Sequence, residues 1–310
     1  MSIRRSIYSL TGQTFFGPDF PLYVNRASES FEMLEHLHDF VEVSYISEGK
    51  GYHYIDDQVV TVQKGDLFFI PIGVSHVFRP AQASAKERLI VYNCIFHDQF
   101  FERIATSDSS LWAPDDVAAL RALNQEKSWF VHRESHGEVG ALMHQLYVEF
   151  NDTQTARRIM LLSYALQLLV CIVRSSAGHA DVEAEPEMKR LNTVLEELGR
   201  RLQNPPSLTE MAAAINLGSR QFHRLMKKAT GQTYMEYIQF LRIQKCCELL
   251  LLTDDKISTV AELIGYKDMK YFHALFKRKT GLTPRQFRTQ AGRASPEILT
   301  HPALFTEGIT

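Results

Sequence analysis

The chain has 310 residues, enough for two domains, and with 45% hydrophobic and 23% charged residues its composition is that of a globular protein. Its four cysteines show no metal-binding or redox spacing, which argues against a secreted disulfide framework. The formal net charge of -2 hides an asymmetry, because residues 187–292 hold 18 Lys and Arg against 10 Asp and Glu, whereas the remainder holds 16 against 26. The C-terminal third is therefore the part predicted to meet a polyanion.

Residues 1–110 are predicted to form an antiparallel β-barrel. Between about 20 and 100, short β-rich runs alternate with Gly, Pro and Asp at 41–47, 51–57, 58–63, 66–72 and 87–96. Many short strands at this spacing are typical of a barrel or a sandwich.

Residues 111–174 are predicted to be helical, with apolar residues at helical spacing and an unusually apolar run at 160–173. That run has only 14 residues and includes Gln167, so it is too short to span a bilayer and is expected to form a homodimer interface. Arg4 and Arg5 are not followed by an apolar segment, which argues against a signal peptide. The expectation is a cytoplasmic protein without membrane contact.

A small, polar stretch at 175–186 is predicted to be a linker, 187–292 a second domain, and 293–310 a tail without a clear signal. The second domain contains an internal repeat. The segment 227–233 (KKATGQT) reappears at 277–283 (KRKTGLT), a shift of 50, whereas the apolar positions 208, 211, 212 and 215 reappear with a shift of 49. One extra residue has therefore entered the second turn.

Each repeat is predicted to be a helix-turn-helix unit. Ser207 and Glu210 form a capping box before the first unit, and the second helix of each unit has an apolar back and a cationic front. A helix of about 19 residues, 234–252, separates the units and would be about 28 Å long. The predicted DNA-binding residues are Arg220, Gln221, His223, Arg224, Lys227, Lys228, Lys267, Lys270, His273, Lys277 and Arg278.

These residues resemble the double helix-turn-helix domain of the AraC/XylS family of transcription regulators. The segment 257–288 keeps that family's signature, including Gly265, Gly281 and Arg288, and the resemblance covers about 187–290. It implies base contacts from Arg220, His223, Arg224, Lys270 and His273. Ala274 stands where some relatives have a longer polar residue, so the first unit is expected to carry more of the specificity. The phosphate contacts are expected from Lys227, Lys228, Lys277 and Arg278.

A second motif lies in the strand region. His36, His38 and Glu42, followed by Gly49, then Gly65, Pro71, Gly73 and His76, are similar to the two halves of the cupin-barrel motif, whose side chains converge on one metal. His36 and His38 share one face of a strand, and Glu42 keeps that parity if the strand is unbroken. Ser30 and Pro80 replace the motif's opening glycine and closing asparagine.

The AraC/XylS resemblance implies that the barrel, which is similar to the sensor domains of rhamnose-type regulators, binds a small effector, often a sugar. The expected effector-binding residues are His36, His38, Glu42, Tyr52 and His76. A divalent metal held by His36, His38, Glu42 and His76 is the open alternative, since three imidazoles and a carboxylate suit iron, manganese, zinc or nickel. No cofactor is otherwise expected.

The predicted fold class is α+β multidomain, with an N-terminal cupin-like antiparallel β-barrel and appended helices, and a C-terminal all-α double helix-turn-helix domain. The predicted function is a ligand-responsive, sequence-specific transcription regulator, an activator of carbohydrate or small-metabolite genes rather than an enzyme. Its expected partners are double-stranded DNA, a small effector, RNA polymerase and a second copy of the chain. The alternative is a metal-binding cupin enzyme or metal sensor fused to a DNA-binding domain.

Overall fold

The structure is a computed structural model that describes residues 7–17, 20–56, 58–81, 88–106, 112–134, 137–176 and 186–291. The predicted tail at 293–310 and most of the predicted linker, 177–185, lie outside these described residues.

The described strands of the N-terminal domain form two sheets of five strands each. Sheet I has the order β1-β3-β8-β5-β6, with β1 (Tyr8–Leu10), β3 (His36–His38), β8 (His76–Pro80), β5 (Lys50–Ile55) and β6 (Gln58–Gln63). Sheet II has the order β10-β7-β4-β9-β2, with β2 (Leu22–Ser28), β4 (Val41–Glu48), β7 (Asp66–Ile70), β9 (Ile90–Phe96) and β10 (Phe130–Arg133).

The prediction of a sheet-rich N-terminal domain is confirmed, with three corrections of detail. The strands described in the structure make two sheets rather than one closed barrel, and β1 pairs with β3 in parallel. β10 also places a strand in the region predicted to be helical, where it pairs with the edge of β7. Short strands such as β1 and β3 contain too few residues for a period-2 pattern to identify them.

Glu42 is expected to share the face of His36 and His38 only if their strand is unbroken, and the structure breaks that strand. The chain bends after His38, so that β3 belongs to sheet I and β4, which carries Glu42, belongs to sheet II. Along β4, Val41, Val43 and Tyr45 pack on the helices outside sheet II, whereas Ile46 packs between the sheets. Glu42 has the parity of Ile46 and therefore faces the interior, opposite the histidines.

The helices α1 (Asp98–Ala105), α2 (Pro114–Gln125), α3 (Glu138–Asn151) and α4 (Arg157–Ser176) cover the outer face of sheet II. The buried stripe of α4, which includes Leu161, Leu168 and Ile172, packs into this layer. Its other side carries exposed apolar residues, with Ile159 70% exposed. The expectation that the apolar run of this helix is too short to span a bilayer is corrected, because the helical stretch Arg157–Ser175 has 19 residues and a mean hydropathy of 1.5, enough by length and composition alone. The core helices of soluble proteins can meet the same criterion.

The C-terminal domain is helical, as predicted. Its helices are α5 (Pro186–Arg200), α6 (Leu208–Ala214), α7 (Ser219–Thr230), α8 (Tyr234–Leu252), α9 (Ile257–Leu263), α10 (Met269–Thr280) and α11 (Pro284–Ala291). Five phenylalanines, each almost fully buried, fill its core: Phe222, Phe240, Phe272, Phe276 and Phe287. Cys246 and Cys247 are buried free thiols of α8 and pack as small apolar side chains in this core.

The outer face of sheet I packs against α8, so the two domains share one apolar cluster. The ring of Phe240 on α8 stacks on Tyr54 of β5, with 4.8 Å between centroids and 2° between planes. Phe31 lies 5.9 Å and Tyr52 5.7 Å from the same ring. The molecule is thus layered in the order C-terminal domain, sheet I, sheet II and helices α1–α4.

Candidate functional site

The first helix-turn-helix unit consists of α6, a turn and α7. The predicted capping box is present, since Ser207 Oγ accepts from the Glu210 N–H at 3.2 Å and Glu210 accepts from the Ser207 N–H at 2.7 Å. The turn is made by Asn216, whose φ of 59° lies in the left-handed region that asparagine tolerates. Buried Phe222, Leu225 and Met226 hold α7 against the domain core.

The second unit, α9 and α10, repeats this frame. Gly265, with a φ of 91°, takes the place of Asn216, and a Cβ there would stand 2.7 Å from the carbonyl oxygen of Gln203. Two residues separate Asn216 from the start of α7, whereas three separate Gly265 from the start of α10. The extra residue predicted from the two repeat shifts therefore lies in the turn, where Asp268 accepts from the Tyr271 N–H at 3.0 Å.

The ends of α7 and α10 are also equivalent. Thr230 donates its hydroxyl to the Met226 carbonyl at 2.8 Å, and Thr280 donates to the Phe276 carbonyl at 3.0 Å. Each helix then ends at a glycine with positive φ whose N–H bonds to the carbonyl four residues back. The repeated Thr-Gly in the sequence is therefore a helix-ending motif that occurs twice.

The front of α7 is exposed and cationic. The six residues predicted there as DNA contacts are all exposed and line one surface depression: Arg220, Gln221, His223, Arg224, Lys227 and Lys228. Two of them also make local contacts, since Gln221 Oε1 accepts from the Gly218 N–H at 3.3 Å and Lys227 Nζ lies 3.8 Å from a Glu236 carboxylate oxygen. Exposed contacts of this kind are weak and leave both side chains available to a duplex.

The front of α10 is exposed as well, but it has fewer predicted DNA-contacting side chains than the front of α7, and these are of fewer chemical types. The predicted residues there are Lys270, His273, Lys277 and Arg278, and Lys267 lies in the turn before the helix; all five are exposed. Between them lies Ala274, which is exposed and offers no hydrogen-bonding group. Tyr271, also exposed, accepts a hydrogen bond from the Gln239 amide at 2.8 Å, which ties this front to α8.

α8 is confirmed as a 19-residue helix between the two units, hence about 28 Å long. Major grooves on one face of B-DNA recur about every 34 Å, which a rigid spacer of this length approaches. The geometry brings together two exposed cationic helices on one rigid element, an arrangement suited to reading successive grooves.

The second candidate site is a cavity between the two sheets, of about 30 Å³. It is lined by three groups of the predicted cluster, His36, Glu42 and His76, together with Leu10, Phe15, Asn25, Glu29, Met33, Phe40, Phe78, Asn93 and Ile95. His38 flanks this group, with its Nε2 3.5 Å from Glu42 Oε2, and His76 Nε2 lies 3.6 Å from the same oxygen. Two strands of sheet I, β3 and β8, therefore direct imidazoles at one carboxylate of sheet II.

Burial favours the neutral rings of His36 and His38, whereas Glu42 favours the charged form. Burial, with His76 nearby, lowers the pKa of His36 to about 3, and burial lowers that of His38 to about 4 despite Glu42. Burial by itself raises the pKa of Glu42, but His76, His38 and the Ser44 hydroxyl outweigh it and hold that pKa below its usual value.

Tyr52 is a correction to the predicted effector-binding group. Its side chain lies on the outer face of sheet I against Phe240, away from the cavity. The residue between the two outward-facing tyrosines, His53, is the one that points inward, with its Nε2 3.1 Å from His76 Nδ1. Strand alternation along 51–55 could have identified His53, but the motif spacing does not include that position.

Comparison with known proteins gives family matches over both domains. Residues 22–169 match the family described as AraC-like ligand binding domain, and 211–290 match a helix-turn-helix domain family. The chain is 26% identical to HTH-type transcriptional activator RhaR of Cronobacter sakazakii, covering 90% of this chain and 94% of that protein. It is 27% identical to HTH-type transcriptional activator RhaS of Klebsiella pneumoniae, covering 82% and 87%.

Among solved structures, a transcriptional regulator of Chromobacterium violaceum with an AraC-type DNA-binding domain is 25% identical over 35% of this chain and 96% of its own. Its TM-score of 0.33 is too low to establish a shared overall arrangement. The two family matches together include His36, Glu42 and His76 of the cavity and the helices α7 and α10. The chain therefore belongs to the AraC family of ligand-responsive, sequence-specific DNA-binding transcription regulators.

Proposed function

We propose that this chain is a cytoplasmic transcription activator of carbohydrate or small-metabolite genes, and that a small polar effector, a sugar being the expected class, binds between its two sheets. The names of the two relatives, both transcriptional activators, support the sign of regulation. Activation would require a contact with RNA polymerase in addition to DNA. The protein acts by binding and needs no catalytic step.

One observation carries the proposal: strands β5 and β8 each turn one face to the space between the two sheets, where the cavity lies, and the other face to the DNA-binding domain. On β5, His53 points inward and bonds to His76, while Tyr54 stacks on Phe240 of α8. On β8, His76 lines the cavity, while Val77 joins the apolar cluster shared with α8. A ligand that moves either strand therefore alters the surface on which α8 rests.

This arrangement meets the thermodynamic requirement for regulation. An effector changes DNA affinity only if it binds one arrangement of the two domains better than another. Tyr54 and Phe240 are almost fully buried against each other, so a shift of β5 changes the packing that holds the domains together. Packed aromatic surfaces tolerate discrete arrangements rather than gradual deformation, which suits a two-state response.

The proposed active form is a homodimer. The exposed side of α4 carries Ile159, Leu162 and Val170, which are 70%, 38% and 44% exposed. A second copy packing on this side would bury apolar surface and place two DNA-binding domains on two half-sites. Ile159→Glu is expected to shift the chain to monomer at micromolar concentration in analytical ultracentrifugation. Met235→Glu, at an exposed site on α8, is the matched control, and a dimer unaffected by Ile159→Glu would refute the assignment.

The central experiment selects preferred duplexes from random DNA with the full chain, with and without each member of a panel of monosaccharides. We expect one recovered motif whose affinity changes with one sugar. A thermal-shift screen of the same panel identifies the binder independently of DNA, since a ligand of the folded state raises the melting temperature. A recovered motif with no sugar response and no thermal shift would leave the DNA-binding function in place and refute the sugar effector.

The coupling is tested by Tyr52→Ala, which removes a half-buried ring 5.7 Å from Phe240. We expect effector binding to persist while its effect on DNA affinity falls. Tyr147→Ala, which removes a half-buried tyrosine of α3 on the other side of the domain, is the control and should keep the coupling. Unchanged coupling in Tyr52→Ala would show that the signal takes another route.

A further inference from the structure

Three potential metal ligands, His36, Glu42 and His76, meet in the cavity, and a fourth, His38, lies beside them on the strand of His36. Their side chains are almost fully buried, with relative exposures of 8% for His36, 1% for His38, 6% for Glu42 and 2% for His76. Ligand atoms of His36, Glu42 and His76 all lie within 4.8 Å of one another, and His38 Nε2 lies 3.5 Å from Glu42. Buried groups of this polarity require partners that satisfy them.

The hydrogen bonds of His36 and His38 determine which nitrogen of each ring is free. His36 Nδ1 lies 2.9 Å from the Leu34 carbonyl oxygen, and His38 Nδ1 lies 2.7 Å from that of Phe40. A carbonyl oxygen only accepts, so both Nδ1 atoms carry the proton and donate it. In the neutral rings, Nε2 is then an unprotonated lone pair, which is the state a metal ion binds.

The free nitrogens face an acceptor rather than a donor. Nε2 of His38 points toward Glu42 Oε2, and among the described residues no hydrogen bond reaches Nε2 of His38 or of His76. Ser44 donates its hydroxyl to the other Glu42 oxygen at 2.7 Å, which leaves Oε2 turned to the histidines. Two lone pairs facing each other in a buried site repel, and a cation between them converts that repulsion into coordination.

The separations suit such a cation. With bonds of about 2.0–2.1 Å, two ligands of one ion stand about 3.0 Å apart at a right angle and about 3.4 Å apart at the tetrahedral angle. The two measured nitrogen-to-oxygen distances are 3.5 and 3.6 Å. The cavity of about 30 Å³ has room for about two water molecules, so an ion fits as it stands, whereas a sugar requires the sheets to move apart.

We infer that this cavity is a binding site for one divalent transition-metal ion, held by Nε2 of His36, His38 and His76 and by the carboxylate of Glu42. Three imidazoles and one carboxylate suit iron, manganese, zinc or nickel. Magnesium and calcium are not expected here, because they are bound mainly by oxygen ligands. His53 is a positioning residue, which accepts the Nδ1 proton of His76 and thereby directs His76 Nε2 to the ion.

As a regulatory site, this inference rests on the proposed function, because the ion would bind His76 on β8, a strand whose other face contacts α8. As a metal site, it is tested without DNA, so the two proposals fail separately. If the chain binds metal but the metal does not change DNA binding, the metal site is supported and its regulatory role is refuted. If the chain responds to a sugar but binds no metal, the proposed function is supported and the metal site is refuted.

The test uses the full chain, stripped with a chelator, dialysed, and titrated with Zn²⁺ for elemental analysis and with Co²⁺ for absorption spectroscopy. We expect about one equivalent of Zn²⁺, a higher melting temperature on loading, and visible Co²⁺ bands typical of nitrogen and oxygen ligands. Glu42→Gln and His38→Ala should abolish both signals, whereas His144→Ala, which removes an exposed histidine of α3, should keep them. Absence of bound Zn²⁺ and of Co²⁺ bands in the unaltered chain overturns the site, whatever the variants do.

His53 provides the sharper variant pair. His53→Phe removes the hydrogen bond to His76 and is expected to weaken Zn²⁺ affinity about 10–100-fold, as loss of an outer-shell partner does. His53→Gln retains an acceptor and should restore much of that affinity. If both variants lower only the melting temperature and leave Zn²⁺ affinity unchanged, His53 is structural and the positioning role is refuted.

Discussion

The two helix-turn-helix units share the same backbone turn, helix ending and core packing, which together are called the frame here. They differ in the side chains that the second helix of each unit exposes. Both have a left-handed turn residue, the same threonine and glycine at the end of the second helix, and a fully buried phenylalanine, Phe222 or Phe272. The fronts differ, because α7 offers arginines, a glutamine and a histidine, whereas α10 has Ala274 among mainly cationic residues. Backbone geometry and core packing constrain the frame, and exposed positions are free to take on different tasks.

The largest expected effect tests whether the two frames are equivalent. Phe222→Ala and Phe272→Ala each remove a fully buried ring, so each should lower the free energy of unfolding by about 3–5 kcal/mol. Denaturant unfolding of the two variants measures this. Tyr271→Ala, at an exposed ring, serves as the control and should cost much less. Clearly unequal losses for the two phenylalanines would show that the frames are not equivalent.

The turns provide the next comparison. Gly265→Ala places a Cβ at a φ of 91° and 2.7 Å from the Gln203 carbonyl oxygen, so it should destabilise the domain by about 1–3 kcal/mol through strain, and further through the collision. Asn216→Ala, at a φ of 59° in an exposed turn, should cost about 1 kcal/mol. Thermal unfolding gives both values, and a smaller loss at Gly265 than at Asn216 would contradict the structure.

The difference between the fronts is tested on DNA. Arg224→Ala should weaken binding to the selected duplex by about 1–3 kcal/mol, as expected for loss of a good base contact, and should relax the preference for one base pair. His273→Ala on α10 should weaken it less. Fluorescence anisotropy with selected and random duplexes measures both. Equal weakening on the two duplexes would make Arg224 a phosphate contact, and a larger loss for His273→Ala would reverse the ranking of the units.

The smallest expected effect concerns the phosphate contacts. Lys227→Gln and Lys277→Gln should each reduce the slope of log affinity against log salt by about one, because each releases about one counterion fewer. Lys127→Gln, at an exposed lysine outside the DNA-binding domain, is the control and should leave the slope unchanged. A normal slope for Lys227→Gln would indicate that its contact with Glu236 persists on DNA.

Much of the DNA-binding domain could be predicted from the sequence, because its helix starts, turns and helix ends depend on residues close together in the chain. The capping box at Ser207, the turn at Gly265 and the repeated Thr-Gly each depend on residues within a few positions, and the structure reproduces them. The strands of the sensor domain are less predictable from the sequence, because β3 has only three residues and β10 lies in a region with a helical pattern. Long-range pairing, rather than local propensity, makes those segments strands.

The sequence by itself determined that two matched units present exposed cationic helices, since helical periodicity and repeat spacing suffice to separate their inner and outer faces. It also determined that His36, His38, Glu42 and His76 form a group. Only the tertiary structure decided how they meet: the bend after His38 sends Glu42 to the opposite sheet, His53 joins from β5, and Tyr52 turns outward to Phe240. These are contacts between strands distant in the chain, and which sheet a strand joins depends on pairing that no local pattern encodes.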